Sequence, residues 1–261
     1  MSNILEDLFS LKGKTALVTG GAKGLGAMIS AALSRAGCKV IIVSSSEMPT
    51  GAAVHGVPGE SFTFLKHDLS QMSGINAAVA EVKRLTPKLD ILINNAGAFS
   101  ASDIPSVDSD KWDTQMALNV RAPFFLVKEL LPLLKAASRN NDPARVVNIG
   151  SIAALWPKST GAYAYGASKA ALHQLTRTLA SDLTATGINV SAIAPGFFPT
   201  DMTGGLFAAN PGSKEATIGM IPAGRLGEPQ DVGGLAIFLC SRAGAYVSGA
   251  VIPLEGGLWS A

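Results

Sequence analysis

The sequence predicts one doubly wound α/β domain over residues 1–261, with helices on both faces of a mostly parallel sheet of seven strands. Short apolar runs alternate with helical patterns along the chain, which is typical of right-handed βαβ units. Hydrophobic residues make up 48% of the chain and charged residues only 15%, which allows a large buried core. Aromatic residues are few, and the many aliphatic residues and glycines suit buried parallel strands covered by helices.

The elements follow in a regular order. The predicted strands are the short apolar runs 15–18, 40–43, 62–65, 91–93, 145–149, 189–194 and 250–254. The helical patterns between them lie near 24–36, 71–85, 108–137, 162–185 and 228–241. Pro123 interrupts the third pattern, so we expect two helices that meet there. Residues 47–60 are expected to form a loop, and residues 197–227, rich in glycine and proline, a hinged lid over the substrate.

Charge, cysteines and chain ends exclude several functions. The net charge is only +2 and the basic residues are scattered, which argues against nucleic acid or an anionic membrane as a partner. Residues 1–11 lack the pattern of a secretion signal, and no apolar run is long enough to span a bilayer. Cys38 and Cys240 lie far apart in sequence, and we expect buried thiols, as in a reducing compartment. The sequence therefore predicts a soluble cytoplasmic protein without a membrane partner.

The histidines give no sign of a metal site. His55, His67 and His173 have neither metal-ligand spacing nor the pattern of a catalytic triad. We expect all three to be surface or packing residues, and we predict no bound metal.

A glycine-rich turn follows the first predicted strand. Gly20, Gly24, Leu25 and Gly26 lie in it, and its spacing is one residue longer than the common G-x-G-x-x-G motif. Glycines there let the backbone turn tightly and approach a pyrophosphate, whose charge the next helix N-terminus stabilises. A tight packing turn is the alternative. The position between a strand and a helix nevertheless predicts a Rossmann-type dinucleotide site.

The end of the second strand indicates which dinucleotide binds. An acidic residue there would hydrogen-bond the ribose 2′-OH of NAD, but this chain has Ser44, Ser45 and Ser46, and Lys23 precedes the middle glycine. An ammonium group and hydroxyls suit a 2′-phosphate, so we expect NADP(H). An exposed lysine beside a polar loop is the alternative.

Three residues predict proton-transfer chemistry. Tyr165 and Lys169 lie four residues apart, so a helix places them on one face, and Ser151 follows the fifth strand. We expect the ammonium to lower the pKa of the phenol, which could then exchange a proton with a carbonyl or alcohol oxygen. An ordinary half-buried tyrosine and a turn serine are the alternatives. Tyr163 lacks a lysine four residues on, so we do not expect it to be catalytic.

Together these motifs resemble the short-chain dehydrogenase/reductase family over nearly the whole chain. The matching pieces, in order, are 19–26, Asp68-Leu69, 94–97, Asn119, Ser151, Tyr165 with Lys169, and Pro195-Gly196. Residues 195–202, 222–229 and 255–257 are similar to the NADPH-dependent 3-oxoacyl reductases of this family. Residues 142–146 and 162–166 are similar to the type found in rhamnolipid pathways.

The resemblance implies a role for each matched residue. Tyr165 would protonate a carbonyl oxygen, Ser151 would hydrogen-bond that oxygen, and Lys169 would tune the phenol and hold the nicotinamide ribose. Asn119 would link Lys169 to solvent through water, with a helix-capping asparagine as the alternative. The other matched residues would contact the coenzyme: Gly20, Lys23, Gly24, Leu25, Gly26, Ser44, Ser45, Asp68, Leu69, Asn95, Phe198 and Thr200.

The expected function is NADPH-dependent reduction of a ketone, such as a 3-oxoacyl thioester, to a secondary alcohol. Trp156 and apolar residues of the predicted lid, among them Leu206, suggest an apolar substrate. Oxidation of a secondary alcohol or polyol with NADP is one alternative, and a non-catalytic NADP-binding sensor or scaffold is another. Two apolar helical stretches, near 119–137 and 162–185, together with the family resemblance imply a homodimer or homotetramer.

Overall fold

A seven-stranded sheet forms the centre of the molecule. The computed structural model describes residues 3–47, 53–155, 161–209 and 212–259. The strands, in chain order, are β1 (Thr15–Thr19), β2 (Lys39–Ser44), β3 (Phe62–Lys66), β4 (Ile91–Asn94), β5 (Ala144–Ile149), β6 (Ile188–Pro195) and β7 (Val251–Leu254). Their order in the sheet is β3-β2-β1-β4-β5-β6-β7, and every neighbouring pair is parallel. The predicted doubly wound α/β fold is therefore confirmed.

Helices cover both faces of this sheet. In the described part of the chain they are α1 (Ile4–Phe9), α2 (Gly24–Arg35), α3 (Met72–Leu85), α4 (Ser109–Met116), α5 (Ala122–Ala137), α6 (Tyr163–Leu183), α7 (Asp201–Ala209), α8 (Ser213–Met220) and α9 (Pro229–Cys240). Strand residues alternate between two hydrophobic cores. Leu17 and Ile41 face α3, α5 and α6, whereas Val18 and Ile42 face α2 and α9. Both faces are thus buried, as the apolar strand runs require.

The stretch around Pro123 differs from the prediction in one detail. The two expected helices do not simply meet at the proline, because a π-helical turn over residues 117–121 joins α4 to α5. The Ala122 N–H donates to the Ala117 carbonyl, five residues back. Proline has no N–H for the carbonyl of Asn119, four residues back, and its ring would clash there. The wider turn removes that conflict without breaking the helix.

Three helices were not predicted. Helix α1 is only six residues long and has no buried residue, so its sequence pattern is too short to identify it. Helices α7 and α8 lie within 197–227, where glycines weaken the helical pattern. Residues 48–52 of the predicted loop and Trp156 lie outside the described residues. Within the described ranges, no helix combines the length and the hydropathy that a membrane crossing needs.

Candidate active site

A cavity of about 660 Å³ lies at the carboxyl edge of the sheet. Carboxyl ends of neighbouring parallel strands share one edge, and strand order reverses at β1, so ligands are expected there. The ends of four strands, the segments after them and the first part of α6 supply the lining. These residues are Gly20 and 23–25 after β1, 95–97 and Phe99 after β4, 149–153 at the end of β5, 161–163, 165–166 and Lys169 around α6, and 195–198 and 200–203 at the end of β6. The sequence motifs from distant parts of the chain therefore converge.

The glycine turn forms one wall of this cavity. Gly20 has a φ of 61° and Gly24 a φ of 51°, a region that other residues rarely adopt. A Cβ on Gly26 would lie 2.2 Å from the Gly20 carbonyl oxygen, so only glycine fits at that position. The backbone N–H groups at the start of α2 lie beside this bare turn. These residues fit a pyrophosphate, which needs close backbone approach and free N–H donors.

Asn95 holds the glycine turn in place. Its side-chain Nδ2 donates to the carbonyl oxygens of Thr19 at 2.9 Å and Gly20 at 3.1 Å. The buried Thr19 hydroxyl accepts from the backbone N–H groups of Asn95 at 3.0 Å and Ala96 at 2.9 Å. Sequence reasoning gave Asn95 only a ribose contact and Thr19 no role. A buried threonine at the end of β1 was the available signal for this cross-strand tie.

Ser151 and Tyr165 face each other across the cavity floor. Ser151 is 7% exposed, and its hydroxyl accepts from the Ala153 N–H at 3.1 Å, which starts a short 3-10 turn. Tyr165 lies half-buried in the first turn of α6, with its ring edge-on to Phe99 at 5.1 Å between centroids. The phenol and the Ser151 hydroxyl lie close enough for the hydroxyl to lower the pKa of the phenol. The structure thus places the Tyr165 and Ser151 hydroxyls where both could hydrogen-bond to one carbonyl oxygen.

The electrostatics of this pair differ from the expectation. Burial raises the pKa of Tyr165 above its usual value, and the nearby Ser151 hydroxyl opposes that rise without cancelling it. Lys169 is buried, which lowers its pKa to about 8. Its Nζ donates to the Ile149 carbonyl at 2.7 Å and lies 5.6 Å from the Tyr165 ring centroid. The predicted lowering of the Tyr165 pKa by Lys169 is therefore wrong, because burial of the phenol raises its pKa and the opposing influence comes from Ser151, not from Lys169.

Asn119 is fully buried in the π-helical turn. Its Oδ1 accepts from the Ala98 N–H at 2.8 Å, and its Nδ2 donates to the Ala98 carbonyl at 3.0 Å and to the Ser168 hydroxyl at 2.9 Å. Asn119 therefore ties the loop after β4 to the helix that carries Lys169. The helix-capping alternative is wrong, because the residue lies inside a helical turn. Asn119 does not line the cavity.

The remaining predicted coenzyme residues lie in two places. Lys23, Leu25, Phe198 and Thr200 line the cavity, and Thr200 lies over Gly24. Gly26 packs behind the turn, and the others extend along the same sheet edge without lining the cavity, namely Ser44, Ser45, Asp68 and Leu69.

The end of β2 is polar and solvent-facing. Ser44 and Ser46 have their hydroxyls 3.4 Å apart, and Ser45 is exposed. Glu47, the first acid after the strand, forms an ion pair with Lys66 at 2.7 Å. Its carboxylate already has a cationic partner and lies three residues beyond the strand end.

The other half of the cavity is apolar. Phe99, Ile152, Tyr163, Phe197 and Met202 contribute to it. The sequence indicated apolar lid residues, but gave no sign that Phe99 would pack against the tyrosine, because that contact depends on how the loop after β4 folds. Trp156 lies outside the described residues, as does the side chain of Leu206.

His173 is a further residue near the site whose contact the sequence did not indicate. It is 2% exposed, and its Nε2 accepts from the Ser151 N–H at 3.4 Å. The interpretation of His173 as a surface or packing residue did not include its contact with Ser151. Its position one helical turn after Lys169 was the available signal.

Fold and cavity together define a doubly wound dinucleotide-binding protein of the oxidoreductase type. The profile of the short chain dehydrogenase family matches residues 14–211. The chain belongs to this family, as the resemblance of its motifs implied. It is thus an oxidoreductase by family.

The relatives of this chain align with it over almost their full length. The rhamnolipids biosynthesis 3-oxoacyl-[acyl-carrier-protein] reductase of Pseudomonas aeruginosa is 43% identical over 254 residues, which cover 97% of this chain and 99% of that protein. A 2-dehydro-3-deoxy-D-gluconate 5-dehydrogenase of Pseudoalteromonas atlantica is 36% identical and covers 95% of this chain and 97% of its own length. The structure of the Pseudomonas aeruginosa RhlG/NADP active-site complex has a TM-score of 0.88 at 40% identity, with 97% of this chain and 99% of that chain covered.

Proposed function

We propose that this protein is an NADPH-dependent reductase that converts an apolar ketone, of the 3-oxoacyl thioester class, into a secondary alcohol. One observation carries the proposal: a single cavity holds the glycine turn, the Ser151–Tyr165 pair with Lys169, and an apolar half. A dinucleotide cradle, a proton donor and an apolar substrate surface are what this reaction needs.

The chain's own residues supply the proton. NADPH, when bound, supplies the hydride. Tyr165, whose pKa burial raises above its usual value, is protonated at neutral pH, and the phenol can donate that proton to the carbonyl oxygen as negative charge develops there. The Ser151 hydroxyl donates a hydrogen bond to the same oxygen and keeps it beside the phenol.

Lys169 balances the charge that remains. With a pKa of about 8, its side chain is mostly protonated at neutral pH and stabilises the phenolate left by proton transfer. Asn119 supports this arrangement by tying the loop after β4 to Ser168, next to Lys169. Asn119 also helps to link Lys169 to solvent through a water relay in this proposal.

We assign the coenzyme as NADP(H) on the chemistry of the adenosine end. The exposed Lys23 precedes the cavity-lining Gly24, and the hydroxyls of Ser44 and Ser45 follow β2. These groups suit a 2′-phosphate, and Glu47, the first acid in sequence after that strand, is paired with Lys66. Asp68 and Leu69 continue the same edge toward the adenine, and Phe198 and Thr200 line the nicotinamide end. The RhlG structure was solved with NADP, which supports this choice.

The substrate class follows from the apolar half of the cavity and from the relative named a 3-oxoacyl-[acyl-carrier-protein] reductase. Phe99, Ile152 and Met202 offer an acyl chain a hydrophobic surface. A polyol or sugar acid would leave hydroxyls against these side chains without partners, which disfavours the dehydrogenase alternative. A non-catalytic scaffold would not need the Ser151–Tyr165 pair.

The wider setting is also part of the proposal. The chain acts as one domain, residues 197–227 close over the substrate, and two or four copies associate through α5 and α6, where Phe124 is 40% exposed. We place the reaction in the cytoplasm, where the free buried thiols of Cys38 and Cys240 stay reduced. Sedimentation at micromolar concentration tests the association, and a purely monomeric species would contradict it.

A spectrophotometric screen tests the function. NADPH oxidation is followed with 3-oxoacyl thioesters of rising chain length, diketones, cyclic ketones and ketoses. We expect turnover to be highest with 3-oxoacyl thioesters and lowest with ketoses. Tight NADPH binding without turnover of any of these would refute the proposal and revive the scaffold alternative.

A further inference from the structure

His173 lies directly behind the loop that carries Ser151. It follows Lys169 by one turn of α6, and its Nε2 accepts a hydrogen bond from the backbone N–H of Ser151 at 3.4 Å. Because a nitrogen that accepts cannot carry a proton, this hydrogen bond assigns the proton of the neutral ring to Nδ1, a buried atom without a partner among the described residues. Burial lowers the pKa of His173 to about 4, with Lys169 and Arg177 adding to the effect, so the ring is neutral near pH 7.

Two side chains of α6 hold the main chain on both sides of Gly150. Lys169 donates to the carbonyl before it, that of Ile149, at 2.7 Å, and His173 accepts from the N–H after it, that of Ser151. The Gly150 N–H itself donates to the Ile193 carbonyl at 2.7 Å. The backbone that leads into Ser151 is thus fixed from α6 and from β6.

The approach of the imidazole requires glycine at position 150. A Cβ there would lie 2.0 Å from Nε2 of His173 and 2.6 Å from its Cδ2. The ring therefore packs on the bare Cα of Gly150, so His173 and Gly150 form one unit beneath the cavity floor. Ser151 is buried above this unit in an extended conformation, with φ −167° and ψ 150°.

We propose that His173 is a positioning residue: by accepting the Ser151 N–H, it fixes the Ser151 backbone and so holds the Ser151 hydroxyl against the phenol of Tyr165. The catalytic consequence rests on the proposed reduction of a ketone. The hydrogen bond itself does not.

Two substitutions separate the hydrogen bond from the packing. His173→Leu keeps a buried side chain but removes the acceptor, and His173→Gln places an amide oxygen close to where Nε2 lies. We expect His173→Leu to lower kcat about 10–100-fold with little change in the KM for NADPH, since a displaced catalytic group acts mainly on the chemical step. His173→Gln should recover most of that loss. Gln174→Leu, at the exposed neighbouring position, is the matched control and should leave turnover unchanged.

Equal losses in the Leu and Gln variants would overturn the proposal, because they would point to packing alone. So would unchanged turnover in His173→Leu. Thermal melting and NADPH binding report whether each variant is folded. If His173→Leu does not fold, the Gln variant and the NMR measurement below still decide.

Introducing His173→Leu into the Ser151→Ala variant distinguishes action through the Ser151 hydroxyl from a purely structural role. In Ser151→Ala the hydroxyl is gone but the backbone N–H remains. If His173 acts through the hydroxyl, adding His173→Leu to Ser151→Ala should lower single-turnover rates by less than about 3-fold, a strong departure from additivity. A further loss as large as in the wild-type background would contradict the proposal.

Nitrogen NMR tests the hydrogen bond without any activity. The chain has only three histidines, so the His173 ring can be assigned by substitution. We expect a neutral Nδ1–H tautomer between about pH 5 and 8, given the low pKa of the ring. An Nε2–H tautomer would overturn the proposal. If the wild-type protein reduces no ketone but the Nδ1–H tautomer is present, the proposed function fails while the contact stands.

Discussion

Replacing Tyr165 by phenylalanine removes one oxygen atom and keeps the ring. The ring packs edge-on against Phe99, so this contact and the first turn of α6 should survive the change. What disappears is the hydroxyl that would donate the proton and that lies near Ser151. A general acid usually contributes about 10²–10⁴-fold to the rate, which corresponds to roughly 3–5 kcal/mol of transition-state stabilisation. We expect kcat to fall within that range.

The assay compares NADPH oxidation by Tyr165→Phe and wild-type protein under saturating 3-oxoacyl thioester. Coenzyme binding, measured by NADPH fluorescence, should stay within about 3-fold, because the glycine turn is untouched. Tyr246→Phe is the matched control, since Tyr246 is fully exposed, and it should behave as wild type. Near-wild-type turnover in Tyr165→Phe would refute the assignment of the phenol as proton donor.

Three further predictions concern the coenzyme site and the buried lysine. Lys23→Ala should reduce the preference for NADPH over NADH by about 10–100-fold, because a charge-assisted contact with the 2′-phosphate is lost. Lys39→Ala, at the opposite end of β2, is the control and should leave the preference unchanged. An unchanged preference in Lys23→Ala would contradict the 2′-phosphate contact. Gly26→Ala should destabilise the fold by roughly 1–3 kcal/mol in urea unfolding and weaken NADPH binding, because its Cβ would meet the Gly20 carbonyl. Gly234→Ala is the control, since a Cβ there has open space on α9, and it should not destabilise the fold. Equal effects of the two substitutions would contradict the tight turn. Burial lowers the pKa of Lys169 to about 8, so between about pH 8 and 10 the unfolded chain binds more protons than the folded one, and the stability of the wild-type protein rises with pH. The stability advantage of Lys169→Met over wild type should therefore shrink by up to roughly 3 kcal/mol across this window. A constant difference would contradict the burial of a charge.

The sequence predicted the sheet better than its surroundings. The strands are buried on both faces, so their apolar runs are visible without knowing the fold, and each observed strand lies within two residues of its predicted bounds. Helices α1, α7 and α8 are only six, nine and eight residues long, and α7 and α8 contain glycine, so each pattern is too short to be clear. The π-helical turn at 117–121 adds one residue to a helical turn, which no hydrophobic pattern records.

In the site, too, the sequence predicts the features that depend on local pattern and not those that depend on packing. Ser151, Tyr165 and Lys169 could be placed together because strand ends and helical spacing are readable from sequence. The pKa of Tyr165 could not, because it depends on desolvation, which only the packed structure reveals. The contacts of His173 with Ser151 and of Phe99 with Tyr165 depend on the register of α6 against the loops after β5 and β4, and no local pattern encodes that register.

Deuterium transfer tests the central claim most directly. The protein is given NADPH that carries deuterium at the transferable position of the nicotinamide, together with a 3-oxoacyl thioester, and the product is analysed by mass spectrometry and proton NMR. We predict a 3-hydroxyacyl thioester with one deuterium on the carbon that was the carbonyl, formed by wild-type protein and greatly reduced in Tyr165→Phe. An alcohol product without deuterium at that carbon, or no alcohol at all, would contradict the account.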